Sequence, residues 1–241
     1  MTELTLRLNE HDVEALSALY ERDNMVRVEN LFPDDVAEAI FQVLSGATPW
    51  RVVHSDAEGK HKYYRPQEWN AVDPKLRQQT MQSVMQRARD GFAYLYNCYP
   101  MINALLAGED PDWPLHAMTE FLNSPEFLSF TKSITNEADV IKIDGQATLY
   151  GPGHFLNAHD DMGEIKERRA AYVMGMTKNW SPNWGGQLLF LDGEDVSRGF
   201  TPSFNTLTLF KVPRDHIVTQ VSSFAGAGRY SITGWLRTDP K

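Results

Sequence analysis

The chain has 241 residues, 42% hydrophobic, 23% charged and 11% aromatic, with a formal net charge of -9. That length buries a sizeable core and suits one large domain or two small ones. The acidic balance argues against nucleic-acid binding through bulk electrostatics, no apolar run approaches membrane-spanning length, and the start "MTELTLRLNEHD" lacks an apolar signal core. In chain order, "LNEHDVEALSALYERD" places Val13, Leu16 and Leu19/Tyr20 at helical spacing, and "VRVENLF" reads as a short strand. "FPDDVAEAIFQVLSG" is a helix punctuated by Pro33, Asp34 and Asp35 at its start and Gly46 at its end. "WRVV" is strand-like. "HSDAEGKHKYYRPQEWN" then reads as a long, basic, aromatic exposed loop, a candidate binding loop through Tyr63, Tyr64 and Arg65.

The stretch from "DPKLRQQTMQ" to "MINALL" reads as one long helical run, with Gly91 or Pro100 as its interruption. It contains the single cysteine, Cys98, which excludes an intrachain disulfide and fits a reducing, cytoplasmic compartment. Within "YLYNCYP" the thiol reads as a buried small hydrophobe. "SPEFLSFTKSITN" opens like a capped helix on Ser124 and Pro125. From about Ala138 the texture changes. "ADVIKIDGQATLY", "RRAAYVMGMT", "GGQLLFLD", "NTLTLFKV", "HIVTQV" and "RYSITGWLR" are short β-rich runs between Gly, Pro, Asn and Asp, which suggests a sandwich or barrel buttressed by the preceding helices. A single domain over 1–241 is expected, with 1–137 as mainly helical support and substrate loop and 138–241 as the metal-binding half.

Between the first two β runs lies "GPGHFLNAHDD". On an extended backbone His159 and Asp161 project to one face and Asp160 to the other. His216, at the start of "HIVTQV", supplies a third ligand. Two histidines and a carboxylate make the facial triad of non-haem Fe(II) oxygenases, with positions left open for co-substrate and oxygen. His154 and His11 read as surface or hydrogen-bonded residues. Thirteen residues after His216 comes Arg229, which shares a strand face with Ser231. An inward arginine on a strand is costly unless it meets an anion, and its planar fork suits a carboxylate. Zinc would fit the triad but leaves Arg229 unexplained. Trp180 and Trp184 read as packing elements beside turn residues.

These motifs, with "LYGPGHFLNAHDD", "MTKNWSPNWGGQLLFLD", "NTLTLF", "HIVTQV" and "RYSITGWL" in order, resemble 2-oxoglutarate- and Fe(II)-dependent dioxygenases of the prolyl-hydroxylase type over about residues 138 to 237. The branch resembled includes the ribosomal-protein and elongation-factor prolyl hydroxylases. The resemblance implies an α+β fold with a double-stranded β-helix (jelly roll) core. It assigns His159, Asp161 and His216 to iron and Arg229 to the distal carboxylate of 2-oxoglutarate. It places Tyr150 near the co-substrate, and Ser231 and Thr233 as hydroxyl contacts to it or to an iron-bound water. Its cofactor set is Fe(II), 2-oxoglutarate and O2, with ascorbate in support. Its expected partner is a protein or peptide substrate carrying a prolyl residue, a translation component by the branch resembled. Competing readings are a small-molecule hydroxylase, which a closed pocket would favour over an open groove, and a non-catalytic metal or 2-oxoglutarate sensor. Two departures stand out. Gly175 or Met174 falls where some prolyl hydroxylases have a tyrosine, so the 2-oxoglutarate contacts differ there. The turn "SSFAGAG" before Arg229 is also longer than in some relatives.

Overall fold

The structure, a computed structural model, describes residues 4–56, 58–162 and 167–239. The helices and strands run α1 (Val13–Asp23), β1 (Met25–Glu29), α2 (Asp34–Ser45), β2 (Arg51–Ser55), β3 (His61–Tyr64), α3 (Pro66–Ala71), α4 (Pro74–Asp90), β4 (Tyr94–Tyr99), α5 (Met101–Leu106), α6 (Pro114–Leu122) and α7 (Pro125–Thr135). After these the chain is β-rich: β5 (Lys142–Ile143), β6 (Gln146–Tyr150), β7 (Phe155–His159), β8 (Arg168–Met176), β9 (Leu188–Asp192), β10 (Asp195–Phe200), β11 (Phe204–Lys211), β12 (His216–Val218) and β13 (Arg229–Arg237). None of the described helices is long and apolar enough to cross a membrane.

Local signals account for most helix ends. Asp12 accepts a hydrogen bond from Ala15 N at the start of α1, and Ser124 does the same for Phe127 N in α7. Helix α4 stops at Gly91, one of the two expected breaks. The run beyond it is a correction. "YLYNCY" is strand β4, because alternating Tyr94, Tyr96 and Cys98 face one side and the backbone pairs with β2, β6 and β7. Tertiary pairing decides such a segment over helical propensity. The expected loop 54–70 is also different: it forms the β2–β3 hairpin and α3. Cys98 is fully buried, and burial pushes its thiol up to about 12, as an inert core residue requires.

The strands form one antiparallel sheet that curls on itself. Its order is β1-β11-β8-β13-β6-β4-β7-β12-β9-β10, with β2 and β3 beside β4 and β5 beside β13. This is the jelly-roll arrangement, two facing half-sheets with strands contributed by both halves of the chain. The outer face of β1, β8, β11 and β13 presents Val26, Val28, Met174, Leu207, Leu209, Ile232 and Leu236 to the helices. There Phe32, Ile40, Phe121, Leu122 and Phe127 complete the main core. The opposite residues of these strands point into the barrel. Phe32 is fully buried against Phe121, and its backbone is bound on both sides by the Asn205 amide. Phe32→Ala is expected to lower unfolding free energy by about 3–5 kcal/mol in urea titration, through a cavity at the helix–sheet seam.

Candidate active site

The two histidines meet because their strands do. β7 and β12 are antiparallel neighbours, and His159 and His216 are register partners with ring centroids 4.1 Å apart. Asp161 joins them by a different route from strand alternation. β7 ends at His159, and Asp161 has φ of 63°, a left-handed turn that swings its carboxylate back between the rings. Aspartate is among the residues that tolerate this conformation. His159 Nε2 lies 3.4 Å from Asp161 Oδ1, and His216 Nε2 lies 3.5 Å from Asp161 Oδ2. Asp160 is exposed, with Oδ1 accepting from Met162 N.

Each imidazole is oriented from behind. His159 Nδ1 is 2.9 Å from the Asn157 carbonyl, and His216 Nδ1 is 2.8 Å from the Arg214 carbonyl. Both Nδ1 atoms therefore donate, which leaves both Nε2 lone pairs facing Asp161. Phe190 and Phe210 pack on His216, and Phe92 packs on His159. Burial, with the neighbouring His159, lowers the His216 pKa to about 4, so its imidazole is neutral. Burial also opposes a charge on His159. The hydrogen bond and charge of Asp161 outweigh it and raise that pKa. Burial opposes the Asp161 charge as well, but the two histidines hold its pKa below the ordinary value. One atom from each of the three residues lies within 4.8 Å of the others. Two imidazole nitrogens and one carboxylate oxygen converging on a point fit a divalent transition metal, with one face of its coordination sphere left to non-protein ligands.

The triad lines a cavity of about 420 Å³ between the half-sheets. Arg229 lies in its wall, 4% exposed, with its guanidinium carbon 4.9 Å from the Tyr150 ring centre. No carboxylate among the described residues pairs with it, and its Nε has no hydrogen-bond partner. Burial lowers its pKa, yet an arginine remains charged. A buried cation without an internal anion fits an anionic ligand, as the sequence reading required. Tyr150 stacks on Tyr96 at 5.1 Å, and both line the cavity with Thr233. Ser231 borders a small recess beside the main cavity, its Oγ 2.7 Å from Thr148 Oγ1 and 3.4 Å from Arg229 Nη1. Trp180 and Trp184 pack edge-on against each other, and Trp180 Nε1 donates to Gly185 O, as packing residues do. His154 accepts from Gly151 N.

The structure adds residues the sequence reading missed. Arg168 opens β8, donates from Nη1 to the Asp161 carbonyl at 2.6 Å, and places its guanidinium 3.6 Å from the Trp235 ring centre. Trp235 was legible as the next step of the inward Arg229, Ser231, Thr233 alternation. Tyr94 and Tyr96 were hidden by the helical reading of β4. His61, on the hairpin, contacts Tyr94 Oη through Nδ1 at 2.5 Å and stands at the cavity rim. Tyr64 stacks on His54 and Arg65 pairs with Glu109, while Tyr63 presents an exposed aromatic ring.

Residues 145–237 match the family model of the 2OG-Fe(II) oxygenase superfamily. The chain is 30% identical over 119 residues to the prolyl 3-hydroxylase OGFOD1 of Xenopus laevis, covering 46% of this chain and 23% of that protein. It therefore spans less than a quarter of the length of that curated relative. A Pseudomonas putida prolyl-4-hydroxylase superposes with a TM-score of 0.57 at 16% identity, covering 94% of this chain and 99% of that one. A Trichoplax adhaerens prolyl hydroxylase, solved with a hypoxia inducible factor peptide fragment, superposes with a TM-score of 0.61 at 15% identity, covering 98% and 94%. At such identity these structures speak to the fold, and the family model speaks to the residues that line the cavity. Both agree with the triad: residues 145–237 match the 2OG-Fe(II) oxygenase superfamily model, on a fold similar to that of the prolyl hydroxylases.

Proposed function

We propose that the protein is an Fe(II)- and 2-oxoglutarate-dependent dioxygenase that hydroxylates a prolyl residue in a protein. The observation that carries the reading is the pairing of needs in one cavity: a triad of metal donors, and a buried arginine with no anion among the described residues. When bound, Fe(II), 2-oxoglutarate and O2 supply the oxidation that places a hydroxyl on an unactivated C–H bond. The chain's own residues hold and orient. His159, Asp161 and His216 hold the metal. Arg229 pairs with the carboxylate of 2-oxoglutarate distant from the metal. Leu156, Leu188, Phe210 and Val218 line the same cavity and exclude water around the reacting centre.

An open approach to the metal favours a peptide over a small metabolite. The cavity mouth is continuous with a surface cleft of about 630 Å³, since His61, Tyr96, Gln146, Thr233, Gly234 and Trp235 border both. Tyr63, Ile102 and Leu106 give that cleft an apolar side, and Lys142, Arg237 and Asp144 a charged one tied by ion pairs of Arg237 with Asp144 and of Lys142 with Asp239. At the mouth, Arg168 offers N–H donors to a peptide carbonyl beside the flat face of Trp235. The similarity to a prolyl 3-hydroxylase supports proline as the target. Proline-containing peptides of ribosomal proteins and elongation factors are the first substrates to test, following the branch the sequence resembles.

Anaerobic Fe(II) followed by 2-oxoglutarate is expected to give a visible metal-to-ligand charge-transfer band. His159→Ala, His216→Ala and Asp161→Ala should lose it, whereas Asp160→Ala should keep it. A folded, iron-loaded protein with no band would remove the dioxygenase reading. In succinate-release assays with a peptide substrate, Arg168→Ala is expected to raise the peptide KM by about tenfold, the loss of one charge-assisted hydrogen bond, while leaving the 2-oxoglutarate KM near wild type. An equal rise in both would show that Arg168 acts on the triad and not on the peptide.

A further inference from the structure

The cavity floor holds a second arginine. Strand register places the inward residues of four strands in rows. One row runs Thr148, Ser231, Gly175, Thr206 across β6, β13, β8 and β11. The next runs Gln146, Thr233, Val173, Thr208, and β1 extends it with Arg27 opposite Thr208. The barrel floor is thus lined by hydroxyls, with Arg229 on β13 at one side and Arg27 on β1 at the other. Both arginines border a recess of about 20 Å³, together with Ser203, Thr206, Thr208 and Ser231. The recess adjoins the main cavity along Val173, Leu188 and Arg229, which line both.

Burial disfavours the charge on Arg229 and Arg27 adds to that, and Arg229 has no acidic neighbour among the described residues. Arg27 is mostly buried. Its one carboxylate is that of Glu29, 3.6 Å away on a side chain 63% exposed, and its Nε has no hydrogen-bond partner. Its Nη2 is held by Ser203 Oγ and, at 3.4 Å, by Thr206 Oγ1, while its guanidinium lies 4.8 Å from the Phe200 ring centre. Gly175 keeps this space clear. A Cβ there would meet Thr206 Oγ1 at 2.7 Å and Ser203 O at 2.8 Å, so no side chain at position 175 stands between the two arginines. Two cations aimed across hydroxyls at one oxygen-sized recess require an anion, and one that enters from the main cavity.

We infer that Arg27 is a second binding residue for the distal carboxylate of the 2-oxo diacid, which sits between Arg229 and Arg27 with the floor hydroxyls donating to it. The inference rests on the dioxygenase reading and adds to it a residue from the part of the chain outside the family match. It makes the recess a device that selects a diacid over a 2-oxo monoacid of the same length. A monoacid would leave Arg229 unpaired and Arg27 with only the exposed Glu29 carboxylate.

The test is equilibrium binding to the Mn(II)-loaded protein without oxygen, by isothermal titration calorimetry, with 2-oxoglutarate and with 2-oxopentanoate, which has the same chain length but no distal carboxylate. Arg27→Gln is expected to weaken 2-oxoglutarate by about tenfold or more and leave 2-oxopentanoate unchanged, since the lost contact is a charge-assisted one. Should that variant not fold, Arg27→Met keeps a stem to pack on Phe200 and is read by the same ratio. Unchanged 2-oxoglutarate affinity, or an equal loss for both ligands, overturns the role of Arg27 while the dioxygenase reading stands. A wild-type protein that binds metal but neither ligand overturns both.

Discussion

The constraint on which the structure turns is the gathering of two imidazoles and a carboxylate in a barrel interior. Three polar groups taken out of water must satisfy one another or a bound ion, and they do so only at fixed positions. The fixed positions come from backbone. The direct register of His159 with His216 sets the ring separation, and carbonyls of Asn157 and Arg214 set ring rotation. The left-handed turn at Asp161 returns its carboxylate between them. Arg168 ties the same turn by its carbonyl. A one-residue slip between β7 and β12 would turn a histidine to the other face and dissolve the cluster.

The remainder of the barrel is divided by polarity in a way that serves this cluster. Aromatic and aliphatic residues, Phe190, Phe210, Leu188 and Val218 among them, surround the metal donors and lower the local dielectric. Beyond them the floor is lined by hydroxyls and ends at arginines. The outer face of the same strands is apolar and carries the helices, so strand alternation sorts one sequence run into a core face and a chemical face. The helices thus hold the barrel's outside while its inside remains free for polar groups that could not be buried elsewhere.

The mouth follows from the chain's first half. β4 completes the wall between the half-sheets and brings Tyr94 and Tyr96 to the cavity. The β2–β3 hairpin carries His61 to the rim. α5 contributes Ile102 and Leu106 to the adjoining cleft. Residues outside the family match thereby shape the approach to residues inside it, which is where related barrels can differ in what they admit.

Sequence alone determined the parts whose signal is local. Capped helices at Asp12 and Ser124, the β texture after Ala138, the His-x-Asp pair, the later histidine and the Arg229, Ser231, Thr233 alternation are all readable from spacing, because residue type and neighbour order decide them. Tertiary structure decided the rest. β4 looked helical because its aromatic alternation is short, and only pairing with three other strands makes it a strand. Asp161 reaches the triad through a positive φ that no spacing rule exposes. Ser231 is oriented by a hydrogen bond with Thr148, 83 residues away, which no local spacing exposes. Arg27 lies more than two hundred residues before Arg229, and only sheet closure, which sets β1 beside β11 and β11 beside β8, brings their charges to one floor. Periodicity tells which face a side chain takes, whereas the partner across that face is chosen by long-range register.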